Sequence, residues 1–349
     1  MIIIRADANE KIGSGHVMRC LSIARAFNCK NKDVLFVSAD EKSKRIIENC
    51  GFPFVCLNSD WEKMDSELVE LRNLLLLEKP ELLIVDSYYV TEHYFHELSH
   101  LVRIVYIDDL NKACWDVRAV INYNIFAGIC NYSEYGESTR LILNTQYAPL
   151  RDEFYGCPEH ITRETVQSIF VSAGGSDPER ITERIITEIT PSFPDVVFHV
   201  ILGSFNPNIE TIKSDSQNKS NIQLHINEQC VAHIMQSCDM AISASGSTLY
   251  ELCACGLPTI TYSLADNQII AAEQFEKHEL MLNAGDCRNN HLFIPRLTKM
   301  IDSLAENAKL RTEISRKMQK MVDGKGAYRI VRVLMDIAGE YAEKENQIG

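Results

Sequence analysis

The stretch MIIIRADANEKIGSGHVMRCLSIARAFN, Met1 to Asn28, reads as a strand, a glycine-bearing loop and an amphipathic helix, in that order. Ile2 to Arg5 opens with three isoleucines in a row, as a strand covered on both faces requires. From Gly15 onward Val17, Leu21, Ala24 and Phe27 recur at helical spacing and form one apolar stripe. A strand leading through a tight loop into such a helix is the first half of a βαβ unit, so this segment predicts a parallel sheet with crossover helices.

The same alternation continues outward from it. Strands are expected at Val34 to Ser38, Phe54 to Leu57, Leu82 to Asp86, Arg103 to Ile107 and Ala119 to Asn122, with helices at Gly15 to Asn28, Glu41 to Cys50, Ser66 to Glu78 and Thr91 to His100. From Tyr123 through Pro158 the text turns aromatic and irregular, which suits an interdomain connection. A second alternation follows. Its strands are Gln167 to Ser172, Val196 to Leu202, Gln223 to His225, Met240 to Ser243 and Thr259 to Tyr262, and its helices Asp177 to Thr190, Val231 to Ser237, Thr248 to Cys255 and Gln268 to Glu279. Asp215 to Ser220 reads as a polar loop, and the chain beyond Arg296 as a charged helical tail. The expected architecture is α/β, with Rossmann-like domains at 1–150 and 151–349 facing each other across a cleft.

Composition narrows the function. The chain has 349 residues, 46% hydrophobic and 24% charged, with a formal net charge of -13, the profile of a globular protein that repels both a nucleic-acid backbone and an anionic lipid surface. Neither nucleic acid nor membrane is an expected partner. No apolar run approaches the ~18 to 20 residues a bilayer crossing needs. The start shows neither a basic leader nor a cleavage site, so a cytoplasmic protein is expected. The 12 cysteines are scattered in no zinc or CxxC pattern and read as reduced, mostly buried apolar residues. The oligomeric state is left open.

Three loops are candidates for chemistry. In the first, Gly13-Ser-Gly-His16 places His16 in the first turn of a helix, where the positive dipole end keeps the ring neutral and fit to act as a general base; the plain alternative is a capping or packing residue. As a dinucleotide fingerprint the loop fails, because Met18 takes the place of the third glycine. The second loop, Gly174, Gly175 and Ser176, can offer amides to a phosphate, or can be a turn capped by Asp177 with Pro178 at the first helical position. In the third, Ser245, Gly246, Ser247 and Thr248 suit phosphate contact, and Glu251 one turn on suits a ribose, although the hydroxyls serve equally as caps. His93, His96 and His100 share a helix face without an accompanying carboxylate or cysteine cluster, so no metal site is expected. Asp86 with Asp40, and Asp108 with Asp109, lack the spacing of a two-carboxylate glycosidase.

Arg5-Ala-Asp7, Gly13-Ser-Gly-His-Val-Met-Arg19, Pro149-Leu-Arg-Asp-Glu-Phe154, Gly174-Gly-Ser-Asp177, Ser245 through Glu251, Asp266-Asn-Gln268 and Asp323-Gly-Lys-Gly-Ala327 together resemble the PseG family, over nearly the whole chain. Its members hydrolyse UDP-2,4-diacetamido-2,4,6-trideoxy-β-L-altropyranose in pseudaminic acid biosynthesis, a route to flagellin and surface glycan modification. The resemblance implies a GT-B fold like that of MurG, with UDP held by the C-terminal domain and no cofactor or metal. It implies that His16 is the catalytic base, that Arg151 and Asn267 lie near the diphosphate or sugar, that Glu251 holds the ribose, and that Arg5, Gly15 and Gly174 to Ser176 make contacts. Some relatives carry a fused acetyltransferase, which is not expected here. The reaction expected is inverting water attack at the anomeric carbon, releasing UDP and the free sugar. The alternatives are a GT-B glycosyltransferase using a UDP-amino sugar and a binding protein without turnover.

Overall fold

The structure, a computed structural model, describes residues 1–203, 206–228 and 230–348, with side chains described through 339. It divides into two compact units. The first comprises Met1–Asn9, Ser14–Arg151 and Lys325–Gly349, and the second Glu10–Gly13 and Asp152–Gly324.

Among the described residues the first unit holds β1 (Ile2–Ala6), β2 (Val34–Ser38), β3 (Phe54–Cys56), β4 (Leu82–Asp86), β5 (Ile104–Ile107), β6 (Ala119–Asn122) and β7 (Arg140–Leu143), in the order β3-β2-β1-β4-β5-β6-β7. Every pairing is parallel. The strands β1, β2, β4, β5 and β6 are buried along their whole length, as apolar runs covered by helices on both faces must be. The helix Gly15–Asn28 falls where its stripe predicts. Strand β7 lies inside the stretch expected to be a connection: it is a four-residue edge strand, RLIL, of which only Ile142 is buried, and its short apolar run is flanked by polar and aromatic text.

In the second unit β8 (Ser168–Ser172), β9 (Val197–Leu202), β10 (Ile222–Ile226), β11 (Met240–Ala244), β12 (Thr259–Ser263) and β13 (Leu282–Asp286) make a second parallel sheet, ordered β10-β9-β8-β11-β12-β13. Two elements here differ from the sequence reading by omission. The helix Ile209–Ser216 overlaps the expected polar loop, because only Ile212 anchors it, and β13 is an edge strand with the polar text LNAGD. The helix expected from Asp177 to Thr190 starts late, at Ile181, and passes into a π turn over Ile185–Ile189 and a 3₁₀ turn over Thr190–Ser192. Thr187 and Thr190 donate back to the carbonyls of Glu183 and Ile186, which bends a helix, and Pro191 ends it.

The C-terminal helix Gly326–Ile348 belongs to the first unit rather than to the second domain into which the sequence reading placed it. It packs on Gly15–Asn28, and Arg103 donates to its Ile337 carbonyl at 2.9 Å. No helix among the described residues is long and apolar enough to cross a membrane.

Candidate active site

In the first sheet the strand order reverses between β1 and β4, and an open α/β sheet has its crevice at the carboxyl ends of such a pair. The chain leaving β1 enters the helix Gly15–Asn28, and β4 ends on Asp86. His16 and Arg19, three residues apart on that helix, share a face and both reach this carboxylate. His16 Nδ1 lies 2.6 Å from Asp86 Oδ1. Arg19 donates Nε to Asp86 Oδ2 at 2.6 Å and Nη2 to Oδ1 at 2.5 Å.

Asp86 is 1% exposed, and a buried carboxylate is tolerated only when paired. Burial pushes its carboxyl up, but Arg19 and then His16 outweigh burial and hold it far below the usual carboxylate range. An ionised carboxylate only accepts. His16 Nδ1 therefore carries the hydrogen, which in the neutral tautomer leaves the lone pair on Nε2. Arg19 Nη2 stands 3.1 Å from Nδ1 because both donors converge on one oxygen. Nε2 has no hydrogen-bond partner among the described residues, and the residue keeps 6% of its surface exposed. His16 is thus not a helix cap: its ring is turned to the Asp86 carboxylate. The field on its ring also differs from the one expected, since a buried carboxylate is added to the helix dipole.

Around this pair the chain just beyond β4, β5 and β6 supplies further polar groups. Tyr88 packs edge-on to the His16 ring at 4.6 Å and donates its hydroxyl to Asp109 Oδ2 at 3.0 Å. Burial and the Asp109 charge push the Tyr88 phenol up, so it stays a neutral donor. Arg19 Nη1 donates to Asp109 Oδ2 at 2.7 Å and to the Tyr123 hydroxyl at 2.9 Å, while Asn124 Nδ2 donates to Asp109 Oδ1 at 2.8 Å. Arg19 therefore bridges two carboxylates. The sequence carried signals for these residues: a charged residue ending the apolar run Leu82 to Val85 needs a partner, and Arg19 lies one turn beyond His16. Spacing alone marks Asp86 and Asp109 only as carboxylates that do not fit a two-carboxylate glycosidase.

Arg5 corrects an expectation. Fully buried, it donates Nε and Nη2 to Glu67 at 2.7 and 2.8 Å and Nη1 to Asp7 at 2.5 Å. Tyr94 and Ser59 add hydroxyl bonds to Glu67 at 2.8 and 2.9 Å. Its guanidinium fastens the end of β1 to the turn Met64–Glu67 and presents no surface to a ligand. Gly15 begins the helix bearing His16, and Arg151, half-buried, ends the segment Ser14–Arg151 of the first unit.

The second sheet reverses between β8 and β11, and two of the sequence-predicted loops follow those strands. After β8, Gly174 takes φ +79°, a left-handed turn that glycine adopts without strain. Gly175 and Ser176 are half-buried. Asp177 does cap the helix, accepting from the backbone N–H of Ile181 and Thr182 at 2.9 and 3.0 Å, but Pro178 stands outside the helix rather than at its first position. After β11, Ser245 turns inward: its hydroxyl lies 2.8 Å from Thr261 Oγ1 and donates to the Tyr262 carbonyl at 2.8 Å, so its side chain is not a phosphate contact. Ser247 sits at the N-cap of Thr248–Cys255 without a capping side-chain bond, and Gly246, Ser247 and Thr248 remain accessible around the helix start. Glu251 is half-buried in the first turn, and Asn267 is exposed at the start of the helix Asp266–Lys277 after β12. His96 and His100 pack edge-on at 5.0 Å, and no group of three or more His, Cys, Asp or Glu poised to hold a metal occurs among the described residues.

No family model matches the chain. It is 26% identical over 72% of its length to UDP-2,4-diacetamido-2,4,6-trideoxy-beta-L-altropyranose hydrolase of Campylobacter jejuni, covering 86% of that protein. It is 23% identical over 96% of its length to the spore coat polysaccharide biosynthesis protein SpsG of Bacillus subtilis, covering 97% of it. A further relative, an uncharacterised protein of Methanocaldococcus jannaschii, is 24% identical over 74% of the chain, which spans only 54% of that protein. Among solved structures, MurG of Acinetobacter baumannii superposes with a TM-score of 0.66 at 12% identity, covering 96% of this chain and 99% of that one. The two parallel α/β units are those of the GT-B fold, and in sequence the chain is similar to the PseG hydrolase.

Proposed function

We propose that the protein is a nucleotide-sugar hydrolase that cleaves UDP-2,4-diacetamido-2,4,6-trideoxy-β-L-altropyranose to UDP and the free sugar with inversion at the anomeric carbon. The observation that carries this reading is the His16–Asp86 pair, with Nδ1 bound to a buried carboxylate and Nε2 open. In the proposed step the oxygen of a water attacks the anomeric carbon, Nε2 takes one proton of that water, and the bond from the anomeric carbon to the UDP oxygen breaks on the opposite face. Asp86 stabilises the imidazolium that forms, and Tyr88 and Arg19 hold the ring and carboxylate in place. The diphosphate is assigned to the backbone amides of Gly174 to Ser176 and to Gly246, Ser247 and Thr248, aided by Arg151 and Asn267, and the ribose to Glu251. The donors at these loops are fixed, so they meet growing charge on the departing UDP without rearrangement. A metal has no assigned step.

The test is NMR of the purified full-length protein with this UDP-sugar and a chelator present. Equimolar UDP and free sugar are expected, the sugar appearing first as the inverted anomer. A UDP-sugar that stays intact until an acceptor is added would instead make the protein a GT-B transferase, and one that binds without turnover a binding protein.

A further inference from the structure

The cysteines do not all behave as buried apolar residues: five are buried, four half-buried and three exposed. Two of them meet in the second unit. Cys157 Sγ and Cys255 Sγ lie 3.9 Å apart although 98 residues separate them in sequence. Cys157 is half-buried, on the strap Tyr155–Pro158, while Cys255 is the buried last residue of the helix Thr248–Cys255.

The strap is held against that helix from three sides. Gln236 Nε2 donates to Cys157 Sγ at 3.2 Å. Gln319 Nε2 donates to the Pro158 carbonyl at 2.8 Å and its Oε1 accepts from the His160 N–H at 3.2 Å. Glu153 Oε2 accepts the Ala232 N–H at 3.1 Å. The helix end leaves room for this clamp because residue 256 is glycine at φ +65°, where a Cβ would lie 2.6 Å from the Gln319 side chain. A disulfide would close this 3.9 Å gap to about 2 Å.

The geometry points to Cys157 and Cys255 as a built oxidation site, a dithiol that a hydroperoxide converts reversibly to an intramolecular disulfide. Cys157 is the attacking sulfur. The hydrogen bond with Cys255 outweighs burial and, with that from Gln236, brings its thiol down to about 7, whereas the same bond and burial keep the Cys255 thiol protonated. The Cys157 thiolate attacks one peroxide oxygen, breaking the O–O bond and becoming a sulfenic acid, and the hydroxide released takes up the proton that the Cys157 thiol gave up and leaves as the first water. The Cys255 sulfur then displaces the sulfenic oxygen, which departs with the Cys255 proton as a second water. Two thiols lose two electrons and two hydrogens, and one hydrogen peroxide becomes two waters. The resulting bond fastens the strap to the helix whose first turn bears Thr248 and Glu251. The proposal stands apart from the hydrolase reading, since neither sulfur has a part in that reaction.

The experiment treats the reduced full-length protein with hydrogen peroxide, alkylates the remaining thiols and maps peptides by mass spectrometry. A linked pair containing Cys157 and Cys255, lighter by about two hydrogens and reopened by dithiothreitol, is expected to form roughly five- to tenfold faster than any oxidation of the exposed Cys29, Cys114 or Cys230. Cys157→Ser should abolish the link. Cys255→Ala should leave Cys157 as a sulfenic acid that dimedone traps, formed more slowly because the hydrogen bond that lowers the Cys157 thiol is gone, which keeps the test independent of whether a serine is tolerated at position 157. Oxidation that begins at the exposed cysteines, or a Cys157 that reaches sulfinic acid without linking to Cys255, overturns the proposal.

Discussion

The two sheets reverse their strand order in the same way, yet they put opposite kinds of chemistry at the reversal. Between β1 and β4 the first unit concentrates charge: His16, Arg19, Asp86 and Asp109 bond to one another in a nearly closed network. Between β8 and β11 the second unit has small residues, glycines and serines whose backbone supplies the polar surface at strand-to-helix turns. In the proposed reaction the first group moves a proton and the second receives an anion. A common topology fixes where a ligand is met, and the side chains at the strand ends decide what is done to it.

The sharpest way to break this contrast is at His16. His16→Asn is expected to lower turnover by about 10²- to 10⁴-fold, the usual worth of a general base, while UDP affinity, measured by calorimetry, stays within about twofold of the parent if that binding belongs to the second unit's loops. An equal loss in both would erase the division of labour.

Next in size is Asp86→Asn. Turnover is expected to fall about 10²-fold because the ring loses the charge that fixes its tautomer. Thermal unfolding should show a loss of about 3 kcal/mol, since Arg19 is left with one buried partner fewer. The same variant tests the pH dependence. Folded Asp86 titrates far below the ordinary carboxylate value of about 3.9, so its ionised form stabilises the fold above about pH 4, and that contribution is lost as acid carries the pH down toward the folded value. Acid unfolding followed by circular dichroism should therefore be shallower in Asp86→Asn than in the parent.

In the other crevice the effects should be smaller and of a different kind. Ser247→Ala combined with Thr248→Ala is expected to weaken UDP about tenfold, the loss of a hydrogen bond to a charged group, with Tm nearly unchanged because neither hydroxyl makes a capping bond. Ser245→Ala should do the reverse. Its inward hydroxyl bonds give a stability loss of about 1 kcal/mol, and UDP binding should move by less than about twofold. If Ser245→Ala impairs UDP more than the double variant does, the inward assignment of that hydroxyl is wrong.

How much was legible beforehand follows the strength of the local signal. Buried parallel strands announce themselves as continuous apolar runs, and β1, β2, β4 and β6 fall where such runs predict. The elements missed are short or bury few residues: β7 and β13 at sheet edges, β7 with a three-residue apolar run of which only Ile142 is buried, and the helix Ile209–Ser216 with one anchoring residue. At the site, His16 could be singled out from its glycine loop and helix turn. Its partner could not, because Asp86 is 70 residues away and only strand pairing brings the end of β4 beside the end of β1.

The amino-acid text on its own determined the two alternating α/β halves and the loops where they offer polar groups, because strand and helix periodicity are local and glycine-rich turns keep their conformation wherever they sit. Only the tertiary structure decided which of those groups were free. Arg5 and Ser245 look like ligand contacts in the sequence and prove to be taken up internally, whereas Asp86 looks like one acid among many and becomes the anchor of the imidazole. Burial and pairing are properties of the packed chain, so the same residue type reads as contact or as scaffold until the fold supplies its neighbours.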